Sequence, residues 1–108
     1  MKTVKRVGFQ GDVGFFRVAN LPKGVMEEKT NIVAHSETGH HHVVRAPEGA
    51  FAFFRETPMT AYLTCDVPVE IVHERQFDTH ETIQLPAGIW QVRRQREHTP
   101  EGWRMVAD

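Results

Sequence analysis

Met59-Thr60-Ala61-Tyr62-Leu63-Thr64-Cys65-Asp66 alternates without a break, with Met59, Ala61, Leu63 and Cys65 on one face of an extended chain. Thr60, Tyr62, Thr64 and Asp66 take the other face. A two-residue period is that of a half-buried strand, and nothing in the run has the helical period. After Pro68 the pattern returns in Val69-Glu70-Ile71-Val72-His73-Glu74-Arg75, where a histidine joins the apolar set Val69, Ile71 and His73. Upstream, residues 50–55 carry Phe51, Phe53 and Phe54. Downstream, residues 82–85 and 89–96 flank Pro86-Ala87-Gly88 as strands around a turn.

Toward the N-terminus, residues 4–9 and 14–18 are short apolar–polar runs separated by the turn signal Gln10-Gly11-Asp12. They predict an opening hairpin with Phe16 and Val18 on its buried face. Asn20-Leu21-Pro22-Lys23-Gly24 is a second turn, residues 25–29 have the composition of one helical turn, and residues 31–35 read as a strand. Ser36-Glu37-Thr38-Gly39 then turns the chain into His40-His41-His42-Val43-Val44-Arg45, which Ala46-Pro47-Glu48-Gly49 ends. About eight to nine short antiparallel strands punctuated by Gly/Pro turns predict one all-β domain over residues 1–108, a small β-barrel or β-sandwich. Near the C-terminus, Trp103 and Met105 are expected to cover a barrel end or sheet edge, or to form a homodimer patch.

A chain of 108 residues buries roughly two-thirds of its unfolded surface. Its 40% hydrophobic and 25% charged residues are ordinary for a globular protein, which argues against disorder. The formal charge of −1 gives no pull toward nucleic acid or an anionic membrane, so neither is an expected partner. Cys65 is the only cysteine, which excludes an intrachain disulfide and favours a reducing compartment. With no apolar run of membrane-spanning length and no signal peptide at Met1-Lys2-Thr3-Val4-Lys5-Arg6, a cytoplasmic protein is expected.

Three of the seven histidines stand together at 40–42. On a strand His40, His42 and Val44 share one face, and His41, Val43 and Arg45 the other. An unpaired charge costs far more to bury than a neutral imidazole, so the Arg45 face is expected to be wet and His40 and His42 to point inward. The same logic turns His73 inward, because Glu70 and Glu74 mark the wet side of its strand. Three converging imidazoles make a ligand set for a divalent metal such as zinc, iron, manganese or nickel. His80 groups with Thr82 and Gln84, opposite Ile83 and Leu85, so alternation puts it outside unless a bulge swings it in to replace His73. Glu37 and Glu48 are the candidate oxygen ligands. The structural alternative is a polar pocket in which the histidines hydrogen-bond without a metal.

Gly39-His40-His41-His42 followed by Pro86-Ala87-Gly88 resembles the two motifs of the cupin superfamily, small β-barrels whose His-x-His and Pro-x-Gly strands line a metal pocket. The position that holds a histidine after the cupin Pro-x-Gly is Gln91 here, and Glu48 lies six residues beyond His42. Residues 30–108 are also similar to a family of small bacterial and phage-associated proteins that share a Thr-Gly-His-x-His run, a histidine before Leu-Pro-x-Gly, and Arg-Gln-Arg-Glu. Here these are Thr38 to His42, His80 with Leu85 to Gly88, and Arg94 to Glu97. That resemblance favours His80 as the third imidazole and implies no particular activity.

Arg93-Arg94-Gln95-Arg96 divides its charges between two faces and is followed by Glu97, which fits an ion-paired strand better than nucleic-acid binding. Arg94 and Arg96 fall on the face of Trp90 and Val92, so one of them is expected to reach inward to Glu37 or Glu48. Cys65, in register with Leu63, reads as a buried small hydrophobe. There is no Ser-His-Asp spacing, phosphate loop or CxxC pair. Together these readings point to a small cupin-like metal-binding protein; were it an enzyme, Lewis-acid chemistry on a small polar molecule would follow. The alternative is a non-catalytic structural or protein-interaction module, a phage or bacterial accessory protein, holding no metal.

Overall fold

The computed structural model describes residues 1–34, 41–74 and 81–94, together with the backbone of Arg96–Thr99 and Gly102–Met105. Every element among these residues is a strand. A five-stranded sheet runs in the order β1 (Lys2–Thr3), β10 (Ile83–Leu85), β9 (Val69–His73), β6 (His42–Arg45), β5 (Ile32–Ala34). A six-stranded sheet runs β2 (Val7–Gln10), β3 (Val13–Val18), β11 (Gly88–Arg94), β8 (Thr60–Cys65), β7 (Phe51–Thr57), β4 (Met26–Glu28). β12 (Arg96–Thr99) and β13 (Gly102–Met105) form a separate two-stranded ribbon. The protein is all-β, as the alternation predicts, and of the two expected architectures it is a sandwich and not a closed barrel: β1 and β5 end one sheet, β2 and β4 the other.

The inner faces interlock as a sheet-on-sheet core. Phe15, Leu63, Trp90 and Phe53 from one sheet meet Val69, Ile71, Leu85 and Val33 from the other, all fully buried. Trp90, at the centre, donates its indole N–H to the Pro86 carbonyl at 2.9 Å, so the Pro86-Ala87-Gly88 turn satisfies the one polar atom of the largest core side chain. Arg17 stacks over the Trp90 ring at 5.5 Å and donates to the Ala87 carbonyl at 2.7 Å.

Several expectations need correction. The eight or nine antiparallel strands are eleven in the two sheets, and β1 runs parallel to β10. Residues 25–29 do not make a helical turn; Met26–Glu28 pairs as an edge strand with Phe53 to Arg55, which supplies backbone partners that an isolated turn lacks. The buried face of the opening hairpin is that of Val13 and Phe15, not of Phe16 and Val18. Gln10 pairs directly with Val13, leaving a two-residue Gly11-Asp12 turn. Gly11 has φ 60° while no non-glycine residue described is left-handed, the pattern of a type II′ turn. That turn sets the register, so Phe16 lies outside, edge-on to Phe9 at 5.8 Å and under the Arg93 guanidinium.

β2 inverts the usual alternation. Val7 and Phe9 are exposed, and Gly8 and Gln10 face inward. Gly8 is required there because Val4 crosses it: a Cβ at Gly8 would lie 2.4 Å from Val4 Cγ2. No helix of the described residues is long and apolar enough to cross a membrane.

The register predicts a sharp asymmetry between neighbouring phenylalanines. Phe15→Ala, at a fully buried site, is expected to lower stability by about 3–5 kcal/mol in urea unfolding, and Phe16→Ala by about 1 kcal/mol. Equal losses would show that the hairpin register is wrong.

Candidate functional site

His42 opens β6 and His73 closes β9, and the two are direct cross-strand partners. The Glu74 N–H donates to the His41 carbonyl at 2.8 Å, which makes 41/74 a hydrogen-bonded pair and 42/73 the closer, non-hydrogen-bonded kind. Their rings accordingly stack, with centroids 4.3 Å apart and planes 9° from parallel. Both are buried between the sheets, at 0% and 2% exposure, as the positions of Arg45, Glu70 and Glu74 imply. On the outer face of the same strands, Arg45 Nε donates to Glu70 Oε1 at 2.9 Å, opposite in register. His41 is half-buried on the other face from His42.

Two further contacts of His42 come from the opposite sheet, at the β2–β3 turn. Gln10 donates its amide to the carbonyls of Ile71 at 2.8 Å and Glu81 at 2.9 Å. Two carbonyl acceptors leave no doubt which end of the amide is nitrogen, so the oxygen is the end that lies 2.8 Å from His42 Nδ1. His42 must therefore donate from Nδ1, and in the neutral ring its lone pair is on Nε2. Asp12, two residues beyond Gln10, is fully buried, with Oδ1 3.9 Å from that Nε2. Its other oxygen accepts from Arg94 at 2.9 Å. Arg94 thus reaches inward as its face on β11 implies, but to Asp12 and not to Glu48, which is exposed on the β6–β7 turn. Burial of the carboxylate is tolerable because a guanidinium meets it.

The arrangement brings two electron-pair donors, His42 Nε2 and Asp12 Oδ1, to one buried place. Metal–nitrogen and metal–oxygen bonds of about 2.0–2.2 Å set tetrahedral donors roughly 3.4 Å apart, so 3.9 Å calls for a closure of a few tenths of an ångström. His73 stands beside them with a parallel ring. Imidazole lone pairs lie in the ring plane, and two parallel planes do not meet, so His42 and His73 share one ion only after a ring turns. Among the described residues no group of three or more His, Cys, Asp or Glu side chains is arranged to hold a metal. His40, His80 and Glu37 lie outside the described residues.

Gln10 and Asp12 are the site residues that sequence reading misses. They look like the punctuation of a turn, and the inversion of alternation along β2 hides that Gln10 points in. Gln91, at the position of the cupin histidine, lies on the outer face and donates to the Tyr62 hydroxyl at 2.9 Å. Cys65 is the small buried residue the alternation predicts, with its thiol 3.5 Å from the Pro86 carbonyl. Burial pushes its pKa above the ordinary 9.0, against a smaller lowering by the Gly88 backbone, so it is no activated nucleophile.

Residues 9–95 match the model of a family described as a domain of unknown function, DUF8820. No curated protein and no solved structure matches the chain.

Two outcomes follow from this geometry. In two-bond ¹H–¹⁵N spectra His42 is expected to carry a proton on Nδ1; a ring protonated on Nε2 alone would contradict the Gln10 orientation. For Cys65, a raised thiol pKa means that the unfolded chain loses its proton first, so stability is held below pH 9.0 and declines as pH rises above it. A Cys65→Ala variant is expected to lose that part of the alkaline decline, measured as urea midpoint against pH.

Proposed function

This chain belongs to the DUF8820 family, and we propose that it is a divalent-metal-binding domain whose ion is held at His42 and Asp12, between the sheets. One observation carries the reading: Gln10 fixes the proton of His42 on Nδ1, which turns the Nε2 lone pair into a donor 3.9 Å from a buried carboxylate oxygen. An outer hydrogen bond from Nδ1–H to an oxygen is the arrangement that orients a metal-ligating histidine and raises its basicity. Zinc, iron, manganese and nickel all accept an imidazole with a carboxylate, and a site of this kind supplies Lewis-acid chemistry when loaded. Among the described residues His73 is the nearest further imidazole, and His40 and His80 are the sequence's candidates to complete the shell, as in the cupins it resembles.

A second reading rests on the Arg94–Asp12 contact and the ring stack. A proton in place of the metal makes His42 an imidazolium beside Asp12, and the cluster becomes the polar core of a non-catalytic interaction module. The two readings separate cleanly. Elemental analysis of untagged protein, followed by calorimetric titration with zinc, iron, manganese and nickel, is expected to give one equivalent of bound metal. His42→Ala and Asp12→Asn should abolish it, and Gln10→Leu should weaken it by about 10–100-fold. His73→Ala, His40→Ala and His80→Ala, made singly, identify the remaining ligands. Absence of metal from the wild type, with no binding on titration, would leave the proton-filled cluster as the correct account.

A further inference from the structure

The end of the sandwich nearest the histidine site holds a cavity of about 180 Å³. Its floor is apolar, made by Val33 of β5, Ala61 of β8 and Val92 of β11, and two guanidiniums, Arg55 and Arg94, line it as well. The cavity follows from the sequence. Ala61 pairs in register with Val92 on one side and Arg55 on the other, and its methyl group leaves unfilled the volume that a larger inward residue would take. Ala34, which also lines the space, is the cross-strand partner of His42.

Arg55 is placed by two features. It follows Phe53 on the inward face of β7, where the register to β8 shifts between Arg55 and Thr57, and such irregularities re-aim side chains. Its guanidinium lies over the Phe53 ring at 5.0 Å, a contact that holds the side chain in place. Glu28 is 3.6 Å away, but that pair is long and partly exposed, and such contacts are weak. Arg94 is the more buried of the two, 14% exposed, and is held by Asp12.

A recess of this size corresponds to roughly six waters at their share of liquid volume, room enough for a small organic molecule. Planar guanidinium edges match a carboxylate, and the aliphatic floor matches a short hydrocarbon chain. We propose that this cavity binds a small organic carboxylate, its anionic end at Arg55 and Arg94 and its chain on Val33, Ala61 and Val92. The site needs no metal. Its contact with the histidine cluster runs through Arg94 and Asp12, so a bound carboxylate would compete with Asp12 for Arg94.

The probe is butyrate, with butyramide as its uncharged counterpart, titrated at low salt while methyl resonances are followed by NMR. Butyrate is expected to shift the methyl signals of Val33, Ala34, Ala61 and Val92 saturably in the millimolar range, and butyramide to bind at least about ten-fold more weakly. Arg55→Gln, a change at a partly exposed side chain, should weaken butyrate about ten-fold. Ala61→Leu, which fills the cavity, should remove binding. Methyl signals unmoved by butyrate, equal shifts with butyramide, or undiminished binding in either variant would overturn the assignment; should Ala61→Leu fail to fold, the Arg55→Gln and butyramide arms decide it. The same titration on wild-type protein freed of metal with a chelator is expected to give saturable butyrate shifts as well, so failure here and failure of the metal reading are separate results.

Discussion

Both hydrogens and the oxygen of a single buried amide tie the two sheets together. Gln10 leaves the edge hairpin of the six-stranded sheet, donates to backbone carbonyls beside β9 and β10 of the five-stranded one, and accepts from His42 on β6. Hydrophobic contact between the sheets is non-directional and tolerates sliding. An amide whose every partner is specified does not, because a shift of one residue would leave buried donors and acceptors without geometry. The register between the layers therefore depends on a polar residue in an apolar core.

That same constraint decides the chemistry of the neighbouring groups. Orientation of the amide fixes the tautomer of His42, the tautomer assigns the lone pair to Nε2, and the hairpin turn that carries Gln10 delivers Asp12 to the same place. Arg94, from the centre of the six-stranded sheet, balances the carboxylate. Buried ionic clusters contribute little net stability, since desolvation offsets most of the attraction. The ionic cluster stands beside a stacked pair of histidines, and the cavity lined by Arg55 and Arg94 adjoins it.

Much of the fold was legible in the chain because alternation is local. Thr60 to Cys65 and Val69 to His73 are the strands that alternation predicts, with Ala61, Leu63, Cys65, Val69, Ile71 and His73 inward. His42 reads as inward because Arg45 lies on the other face and must stay wet. Where the hydrophobic pattern was contradicted by a turn, the reading failed. Phe16 is as apolar as Phe15, and only the two-residue Gly11-Asp12 turn says which one enters the core. Along β2 the apolar residues Val7 and Phe9 are outside, so periodicity pointed away from Gln10.

By itself the sequence determined the all-β class, the inward aim of His42 and His73 and the inert burial of Cys65, and narrowed the inward arginine to Arg94 or Arg96, because each follows from two-residue periodicity and the cost of burying charge. Tertiary structure alone decided that the sheets stay open as a sandwich, that the two histidines stack across strands, and that Gln10 and Asp12 meet His42. Residues 10 and 42 are separated by 32 positions and approach only when two sheets pack. No local pattern encodes which hairpin tip folds over which strand end; that is set by the summed packing of both sheets and by the partners a buried amide requires.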